Sequence, residues 1–303
     1  MATVLCVGHA VQDFVFSVEQ LPSTPEKYRA ESFKSVGGGP AATAAVAVAK
    51  LGGRARLAAR AGDDMIGDFI VSELEGYGVE CSLVGRFELR KSSLSAVIVD
   101  EHGERLIVNY LDPLLESHTE SLPESLPDDV DAVLGDTRWP EGALHIFGLA
   151  RQAGVPTVLD GDVPVPADGD LVRAATHVAF SAQGLAGYSG EAEPASALRS
   201  VAATTDAWCC VTLGREGVMW ISDGEIVTAP AFKVAVRDTL GAGDVWHGAF
   251  ALALADGQPE TSAIEFASAA AALKVASGGG RAGTPTRCDV DTFIKQNTLE
   301  RQA

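Results

Sequence analysis

The chain has 303 residues, enough for one large α/β domain or two ordinary ones, and 47% of them are hydrophobic and can form a sizeable core. Its 41 acidic and 23 basic residues give a net charge of -18, which repels nucleic acid and anionic membranes, so we expect neither as a partner. No stretch reaches the roughly 18 apolar residues of a membrane span, and the N-terminus lacks a basic leader, so we expect a cytoplasmic protein.

Apolar runs typical of buried strands alternate along the chain with Ala-rich helical segments. The predicted strands are TVLCVG (3–8), ARLAARAG (55–62), DAVLGD (131–136), PTVLDGD (156–162), THVAFS (176–181) and AWCCVTLG (207–214). The predicted helices are GPAATAAVAVAKLG (39–52), GDFIVSELEGYG (67–78), GALHIFGLARQAG (142–154) and a long one from about Asp244. This order predicts a doubly wound α/β fold, with a mainly parallel sheet covered by helices on both faces.

Four segments instead alternate apolar and polar residues, which predicts strands with one solvated face. They are 11–18, 28–36, 94–100 and 105–110, the last two joined by the turn EHGE. We interpret them as a small antiparallel β lid, with insertions at about 11–18, 28–36 and 94–112, in a single domain of residues 1–303. The acidic stretch 112–129 predicts a solvated loop or a short helix.

The five cysteines are odd in number and form no Cys-x-x-Cys motif. We therefore expect neither a disulfide framework nor a structural zinc site, in keeping with a reducing cytosol. Cys209 and Cys210 lie in an apolar run and are expected in the core.

The stretch DTLGAGDVWHGAF (238–250) places small residues and an acid at the start of an apolar helix. Gly241, Ala242 and Gly243 allow close approach of a ligand, and the free N–H groups of the helix favour an anion. Asp244 could accept a proton from a hydroxyl that attacks a bound phosphoryl group. The alternative is a glycine-rich helix entry in which Asp244 is an N-cap.

Two other glycine turns leave predicted strands. VGGGPAATAAVAVAKLG (36–52) is neither a Walker loop nor a complete G-x-G-x-x-G, and close packing of a small-residue helix would also explain it. VTLGREG (211–217) could equally be a plain hairpin.

Together these motifs resemble the ribokinase-like (PfkB) family of sugar kinases. The resemblance runs from VLCVGHAVQD to GGGRAGTP, nearly the whole chain, and its most specific element is DTLGAGD. It implies ATP and Mg²⁺ as cofactors, K⁺ as in many members of the family, and a homodimer formed through the β lid.

The resemblance also implies site residues. Asp244 would be the catalytic base, beside an anion hole of Gly241, Ala242 and Gly243. The sugar would contact an early acid and a glycine turn, which are Asp13, Gly37, Gly38 and Gly39. The nucleotide would lie against two segments, which provide Thr212, Gly214, Gly217, Lys274, Ala276, Ser277 and Gly280. Asp238 would help to hold a monovalent cation.

Two positions depart from the family pattern. The Asn that touches the sugar in Gly-Gly-x-x-x-Asn is Ala42 here, which indicates a different sugar or pose. The N-x-x-E segment that organises magnesium reads SAQG (181–184). We expect Asp162 to take over part of that role, since Mg²⁺ favours carboxylates.

Four stretches look closest to bacterial 6-deoxy-6-sulfofructose kinases, which phosphorylate the C1 hydroxyl of a sulfonated ketose. They are EKYRAESFKSVGGGPAATAA, KSSLSAVIVDEHGERLIVNY, DTRWPEGA and GGRAGTP. Lys27 at the start of a lid strand, Asn109 near the end of another and Arg138 after a sheet strand would suit an anionic sugar. Arg105 is given no role, because it could pair within the lid.

Several alternatives remain open at this point. The sugar could be fructose, a fructose phosphate, ribose, a nucleoside or a keto-deoxy sugar acid. The altered SAQG segment would also suit a sugar-binding protein that has lost catalysis, although the intact GAGD argues against it. A Rossmann oxidoreductase and a serine hydrolase lack their motifs.

Overall fold

The computed structural model describes residues 1–115 and 119–302. Its strands, β1 to β13 in chain order, are Thr3–Val7, Val11–Ser17, Ser32–Gly38, Arg54–Gly62, Val79–Phe87, Leu94–Val99, Arg105–Tyr110, Ala132–Asp136, Thr157–Gly161, His177–Ser181, Trp208–Thr212, Val218–Ser222 and Glu225–Ala229. Its helices, α1 to α9, are Pro40–Lys50, Met65–Gly76, Pro140–Ala153, Asp170–Ala174, Ala182–Ser189, Pro194–Ala202, Ala242–Ala255, Glu260–Ser277 and Arg287–Gln302.

Nine strands form the larger sheet, in the order β13-β12-β11-β10-β9-β8-β1-β4-β5. The seven strands from β11 to β5 are parallel, and the β12–β13 hairpin adds an antiparallel edge. β4 and β5 lie on one side of β1, and the later strands β8 to β13 lie in sequence on the other side. The topological switch point, where such folds bind ligands, therefore lies between β1 and β8.

Both faces of this sheet are buried, as the uninterrupted apolar strands predicted. In β1, Val4 and Cys6 pack into a core with α1, α2, α7 and α8, whereas Leu5 and Val7 pack into a second core with α3 to α6. All four side chains are fully buried. Side chains of a strand point alternately to its two faces, and both faces are apolar here, so the sequence of β1 reads as a continuous apolar run. The predicted doubly wound α/β fold is confirmed.

The smaller sheet is the lid, with the strand order β3-β2-β6-β7. Its outer pairs, β2–β3 and β6–β7, are antiparallel as expected, while the central pair β2–β6 is parallel. β2 and β6 are parallel because they follow β1 and β5, which are parallel strands that end at the same edge of the larger sheet.

The second predicted lid segment, 28–36, begins later than expected. The prediction of strand from residue 28 is wrong, since β3 begins at Ser32. The Tyr28 hydroxyl accepts the N–H groups of Ser23 and Thr24 at 3.2 and 3.1 Å, which folds the loop onto itself. Within 112–129, a 3-10 helix spans Pro113–Leu115 and residues 119–129 form turns, while residues 116–118 lie outside the described part.

The thiols of all five cysteines are free, and four are buried. Cys209 and Cys210 lie within β11, as predicted for core residues. Within the described residues, no helix combines the length and the apolarity needed to cross a membrane.

Candidate active site

A buried carboxylate marks the switch point between β1 and β8. Asp136 ends β8 and is 1% exposed. It accepts the backbone N–H groups of His9 (2.8 Å), Ala41 (3.1 Å) and Arg138 (2.8 Å). Gly8 must be glycine here, because a Cβ would collide with this carboxylate. One side chain therefore fixes the loop after β1, the start of α1 and the segment after β8, which meet at the crevice. Sequence reasoning did not single it out, although it begins the quoted segment DTRWPEGA.

The glycine turn lies against Asp13, as the resemblance implied. Gly39 has a φ of 94°, and a Cβ there would meet the carbonyl group of His9. A Cβ on Gly38 would collide with the Asp13 carboxylate. The turn therefore needs small residues for close approach of Asp13 and His9, and the α1 helix after it packs its alanines closely, as the packing interpretation of this motif predicted. Contact of the turn with a sugar stays a prediction.

Three polar side chains form a row across the crevice-facing side of the lid. Asp13 in β2 pairs with Ser95 in β6, which pairs with Asn109 in β7. The Asn109 amide donates to the Ser95 hydroxyl at 3.2 Å, and that hydroxyl is hydrogen-bonded to Asp13. Asn109 is thereby tied to Asp13, and Ser95 is a site residue that the sequence did not single out.

The signature segment forms a turn and the first turn of α7. Gly241 is the N-cap with φ 73°, and a Cβ there would lie 3.5 Å from the Thr43 methyl group of α1. The Ala242 N–H donates to the Thr239 carbonyl at 3.2 Å, so it is engaged within the loop. Gly243 and Asp244 lie in the first helical turn, where N–H groups lack intrahelical acceptors and can bind an anion.

Asp244 has the electrostatic character of a base that works near neutral pH. Burial, reinforced by the nearby Asp160 carboxyl, raises the pKa of Asp244 to about 7, and the positive charges of His247 and Arg281 oppose that rise. Beneath it, the His247 Nδ1 lies 3.3 Å from Asp160 Oδ2, and its Nε2 is 3.0 Å from the Ala179 carbonyl oxygen. Burial also raises the pKa of Asp160 well above its usual value.

Arg281 is a site residue that sequence reasoning missed, although it lies in the quoted segment GGRAGTP. Its side chain is 4% exposed and 3.7 Å from Glu73. It donates to the Gly38 carbonyl and to the Thr43 hydroxyl. The guanidinium thus supports the glycine turn from below and adds positive charge near Asp13 and Asp244.

The residues implied for the nucleotide lie on two segments. Thr212 ends β11, and Gly214 and Gly217 lie in the connection to β12. Because β11 and β12 are antiparallel, the motif VTLGREG forms a hairpin, which was the alternative interpretation of its sequence. A Cβ on Gly217 would collide with the Ala229 carbonyl, which explains that glycine by packing alone.

The second segment is the end of α8 with the turn after it, containing Ala276, Ser277 and Gly280. Lys274 differs from the expectation, because its ammonium group is buried against Asp238 instead of facing an open site.

Asp162 follows β9 at the same edge of the sheet. Its carboxylate accepts the Ser181 hydroxyl at 2.7 Å, and its carbonyl accepts the Thr137 hydroxyl at 3.0 Å. Within residues 1–115 and 119–302, no three His, Cys, Asp or Glu side chains are grouped to hold a metal ion. A single carboxylate fits Mg²⁺ that retains water and is bound mainly by phosphates.

Two of the three residues expected to bind an anionic group lie as predicted. Arg138 is exposed directly after β8, with its N–H on Asp136, and Asn109 lies on the lid. The placement of Lys27 at the start of a strand is wrong: it lies in the exposed loop before β3, because that loop is closed by Tyr28.

Comparison with known proteins agrees with this geometry. The model of the pfkB family carbohydrate kinases matches residues 1–287. The chain is 28% identical over 297 residues to the ribokinase of Bacillus subtilis, covering 97% of this chain and 100% of the relative. It is 29% identical to the ATP-dependent ribose-1-phosphate kinase of Halopiger xanaduensis, covering 98% and 99%.

Solved structures show the same fold. A crystal structure described as a candidate ribokinase from Agrobacterium tumefaciens superposes with a TM-score of 0.91 at 36% identity, covering 98% of this chain and 99% of that one. The ribokinase of Arabidopsis thaliana, complexed with ribose and ATP, superposes with a TM-score of 0.84 at 25% identity, covering 97% and 98%.

The chain belongs to the pfkB family of carbohydrate kinases. It is an ATP-dependent sugar kinase with Mg²⁺ as its cofactor. This finding excludes the oxidoreductase and hydrolase alternatives and argues against a protein that has lost catalysis.

The raised pKa of Asp244 generates a prediction for the kinase reaction. The carboxyl is protonated below about pH 7 and becomes a base above it, so kcat/KM should rise with pH through about 7. Asp244→Asn cannot accept the proton and should lower kcat about 10²- to 10⁴-fold, with a modest change in ATP affinity. A coupled ADP-release assay across pH measures both, and nearly normal turnover of Asp244→Asn would contradict the role of base.

Proposed function

We propose that this kinase transfers the γ-phosphoryl group of ATP to the C1 hydroxyl of a sulfonated ketose, 6-deoxy-6-sulfofructose. In the proposed complex, Asp13 binds sugar hydroxyls beside the glycine turn. The sulfonate lies between the lid and the end of β8, where Asn109 and Arg138 donate hydrogen bonds to it.

The observation that carries this proposal is the position of Arg138. Its backbone is held by Asp136, the same carboxylate that holds the glycine turn through the Ala41 N–H. Its exposed side chain starts at the switch point, and a guanidinium there can bind the oxygens of a sulfonate or phosphate in a forked arrangement. A net charge of -18 would otherwise repel such a substrate.

The lid supports the same substrate class. The row Asp13–Ser95–Asn109 extends from the sugar-binding acid toward the lid edge, so that an amide donor lies in line with the sugar. Lys27 lies in the exposed loop before β3 and can add a point charge when the lid closes. Ala42 lacks the amide that neutral-sugar kinases of this family place at the matching position.

The relatives favour a second candidate, which is ribose or a phosphorylated ribose. Ribokinases recur among them, and the relative from Halopiger xanaduensis is a ribose-1-phosphate kinase, which accepts an anionic sugar. Fructose, a fructose phosphate, a nucleoside and a keto-deoxy sugar acid remain acceptors to be compared.

The proposed reaction needs few groups of the protein. Asp244 accepts the proton of the attacking hydroxyl, while the N–H groups of Gly241, Gly243 and the first turn of α7 stabilise the transferring phosphoryl group. The Ala242 N–H takes no part, because it donates to the Thr239 carbonyl. Thr212, Gly214, Gly217, Ala276, Ser277 and Gly280 line the nucleotide. Mg²⁺, when bound, neutralises charge on the phosphates, and Asp162 orients its water ligands. Lid closure would exclude water and limit ATP hydrolysis.

An acceptor panel tests the substrate. We expect ADP release with 6-deoxy-6-sulfofructose to have a kcat/KM at least about tenfold above that with fructose 6-phosphate, fructose or ribose. Arg138→Ala should lower kcat/KM for the sulfonated sugar about 10²-fold and leave a neutral sugar nearly unchanged. Arg151→Ala, an exposed arginine at the far end of α3, is the matched control.

A preference for ribose or fructose would retain the kinase and remove Lys27, Asn109 and Arg138 as substrate residues. If the enzyme prefers a sugar phosphate and Arg138→Ala loses that preference, the proposed anion site stands, but its ligand is a phosphate and not a sulfonate.

The proposed role of Asp162 predicts a change in magnesium requirement. In Asp162→Ala the Mg²⁺ concentration for half-maximal rate should rise about 10- to 100-fold, because a group that orients metal-bound water is lost. Titration of Mg²⁺ at saturating ATP measures it, with Asp206→Ala, an exposed loop aspartate, as control. An unchanged titration would contradict the role.

We further propose that the kinase is a cytoplasmic homodimer that associates through the outer face of the lid. On this face Phe14, Phe16 and Phe33 form one aromatic group, with ring centroids 6.0 and 5.1 Å apart across the strands. Leu106, Val108 and Tyr110 of β7 continue the same face, and Phe33 and Val108 are 55% and 60% exposed. Exposed apolar patches of this kind are typical of protein interfaces.

Val108→Asp should convert the dimer to a monomer, because it places a charge on the apolar outer face of β7. Sedimentation velocity compares it with the wild type and with Leu299→Asp, which changes an equally exposed leucine on α9. A wild-type monomer, or a dimer that survives Val108→Asp, would contradict this interface.

A further inference from the structure

Lys274 is an almost fully buried cation next to the signature segment. It lies in the last turn of α8, and its side chain is 1% exposed. Its ammonium group is 3.2 Å from the Asp238 carboxylate and 3.2 Å from the Asp238 carbonyl oxygen. Lysine is rarely buried unless it is paired, because removing its charge from water is costly. The pairing with Asp238 therefore accounts for its burial.

The partner of this ammonium is the first residue of DTLGAGD. Asp238 also accepts the N–H groups of Leu240 (2.9 Å) and Gly280 (3.4 Å), and its own N–H donates to the Val275 carbonyl at 3.2 Å. The guanidinium of Arg105, on lid strand β7, lies 3.8 Å from the other carboxylate oxygen. The end of α8, the glycine turn 278–280 and the signature loop are thus joined at one carboxylate.

These contacts fix the loop that leads to the anion hole and to Asp244. Asp238 is three residues before Gly241, and a shift of its backbone would move the N–H groups aimed at the transferring phosphoryl group. Small displacements of such groups have large effects on rate. Lys274 therefore acts as a positioning residue through Asp238 and does not touch the substrate.

The family resemblance placed a monovalent cation at Asp238, and the residues present do not fit one. Such an ion needs several oxygen ligands. Here the carboxylate and the carbonyl oxygen of Asp238 are both bound by the Lys274 ammonium. A second cation against them would lie beside a like charge in a buried site, where repulsion is strong.

We propose that the ammonium group of Lys274 is the built-in cation of this kinase, which orders the signature loop and makes turnover independent of K⁺. This inference does not depend on the identity of the sugar. It predicts that the site accepts an external cation when the ammonium is removed.

The first measurement uses the wild-type enzyme in KCl, NaCl or tetramethylammonium chloride at equal ionic strength, with Mg²⁺ saturating. The rate of ADP release with the best acceptor of the panel should differ less than about twofold among the three salts, because no differential binding occurs. The thermal midpoint of unfolding should likewise not depend on K⁺. Activation of several-fold by K⁺ would overturn the proposal.

The second measurement uses Lys274→Ala, with Lys295→Ala, an exposed lysine of α9, as matched control. In tetramethylammonium chloride, Lys274→Ala should lose at least about tenfold in kcat, because the loop is no longer held. KCl or NH₄Cl should restore much of this loss and raise the thermal midpoint of this variant alone. The thermal readout needs no sugar, so failure of the substrate proposal would leave it intact.

A Lys274→Ala enzyme with wild-type turnover and stability in the absence of K⁺ would overturn the positioning role. If neither K⁺ nor NH₄⁺ restores the kcat lost in Lys274→Ala, the proposal that the Lys274 ammonium group takes the place of a bound cation is overturned. If Lys274→Ala does not fold, the salt dependence of the wild-type rate and thermal midpoint decides.

Discussion

The architecture of the site depends on one buried carboxylate at the topological switch point. Asp136 accepts three backbone N–H groups, from the end of the β1 loop, from α1 and from the segment after β8. Hydrogen bonds to a charged group are each worth about 1.5–3 kcal/mol, and leaving those donors buried without a partner would cost a similar amount. The sugar crevice is therefore held by the same interaction that closes the sheet between its two halves, and loss of Asp136 would affect both.

Charge is used locally in a chain that is strongly acidic overall. Arg281, Lys274 and Arg138 are three cations around the crevice, of which two are buried and one is exposed. Arg281 is buried under the glycine turn and Lys274 is buried against Asp238, so both support backbone that approaches ligands. Arg138 is exposed, and its backbone N–H is held by Asp136 at the end of β8. For the acid Asp244, desolvation raises the pKa to about 7. A general base is most effective when its pKa is close to the working pH.

The two faces of the lid differ in character because successive side chains of a strand point to opposite sides. Along β2 and β7, alternate residues turn toward the crevice, including Asp13, Asn109 and Arg105, while the residues between them form an apolar outer face. Dimerisation through that outer face would order the inner one, since both belong to the same backbone. The Arg105–Asp238 ion pair further connects the lid to the signature loop.

The sequence by itself determined the doubly wound sheet and the lid, and it singled out the glycine turns and Asp244 as candidates, because periodicity and small-residue motifs are local properties of the chain. It did not predict Asp136, Ser95 or Arg281, and it placed Lys274 wrongly, toward the nucleotide. Those positions depend on contacts between residues distant in sequence. Arg281 and Gly38 are 243 residues apart, and Lys274 and Asp238 are 36 apart. A lone cation or carboxylate carries no local signal of whether it faces water or another charge. Only the tertiary structure decided this, because burial and pairing arise when separate elements pack together.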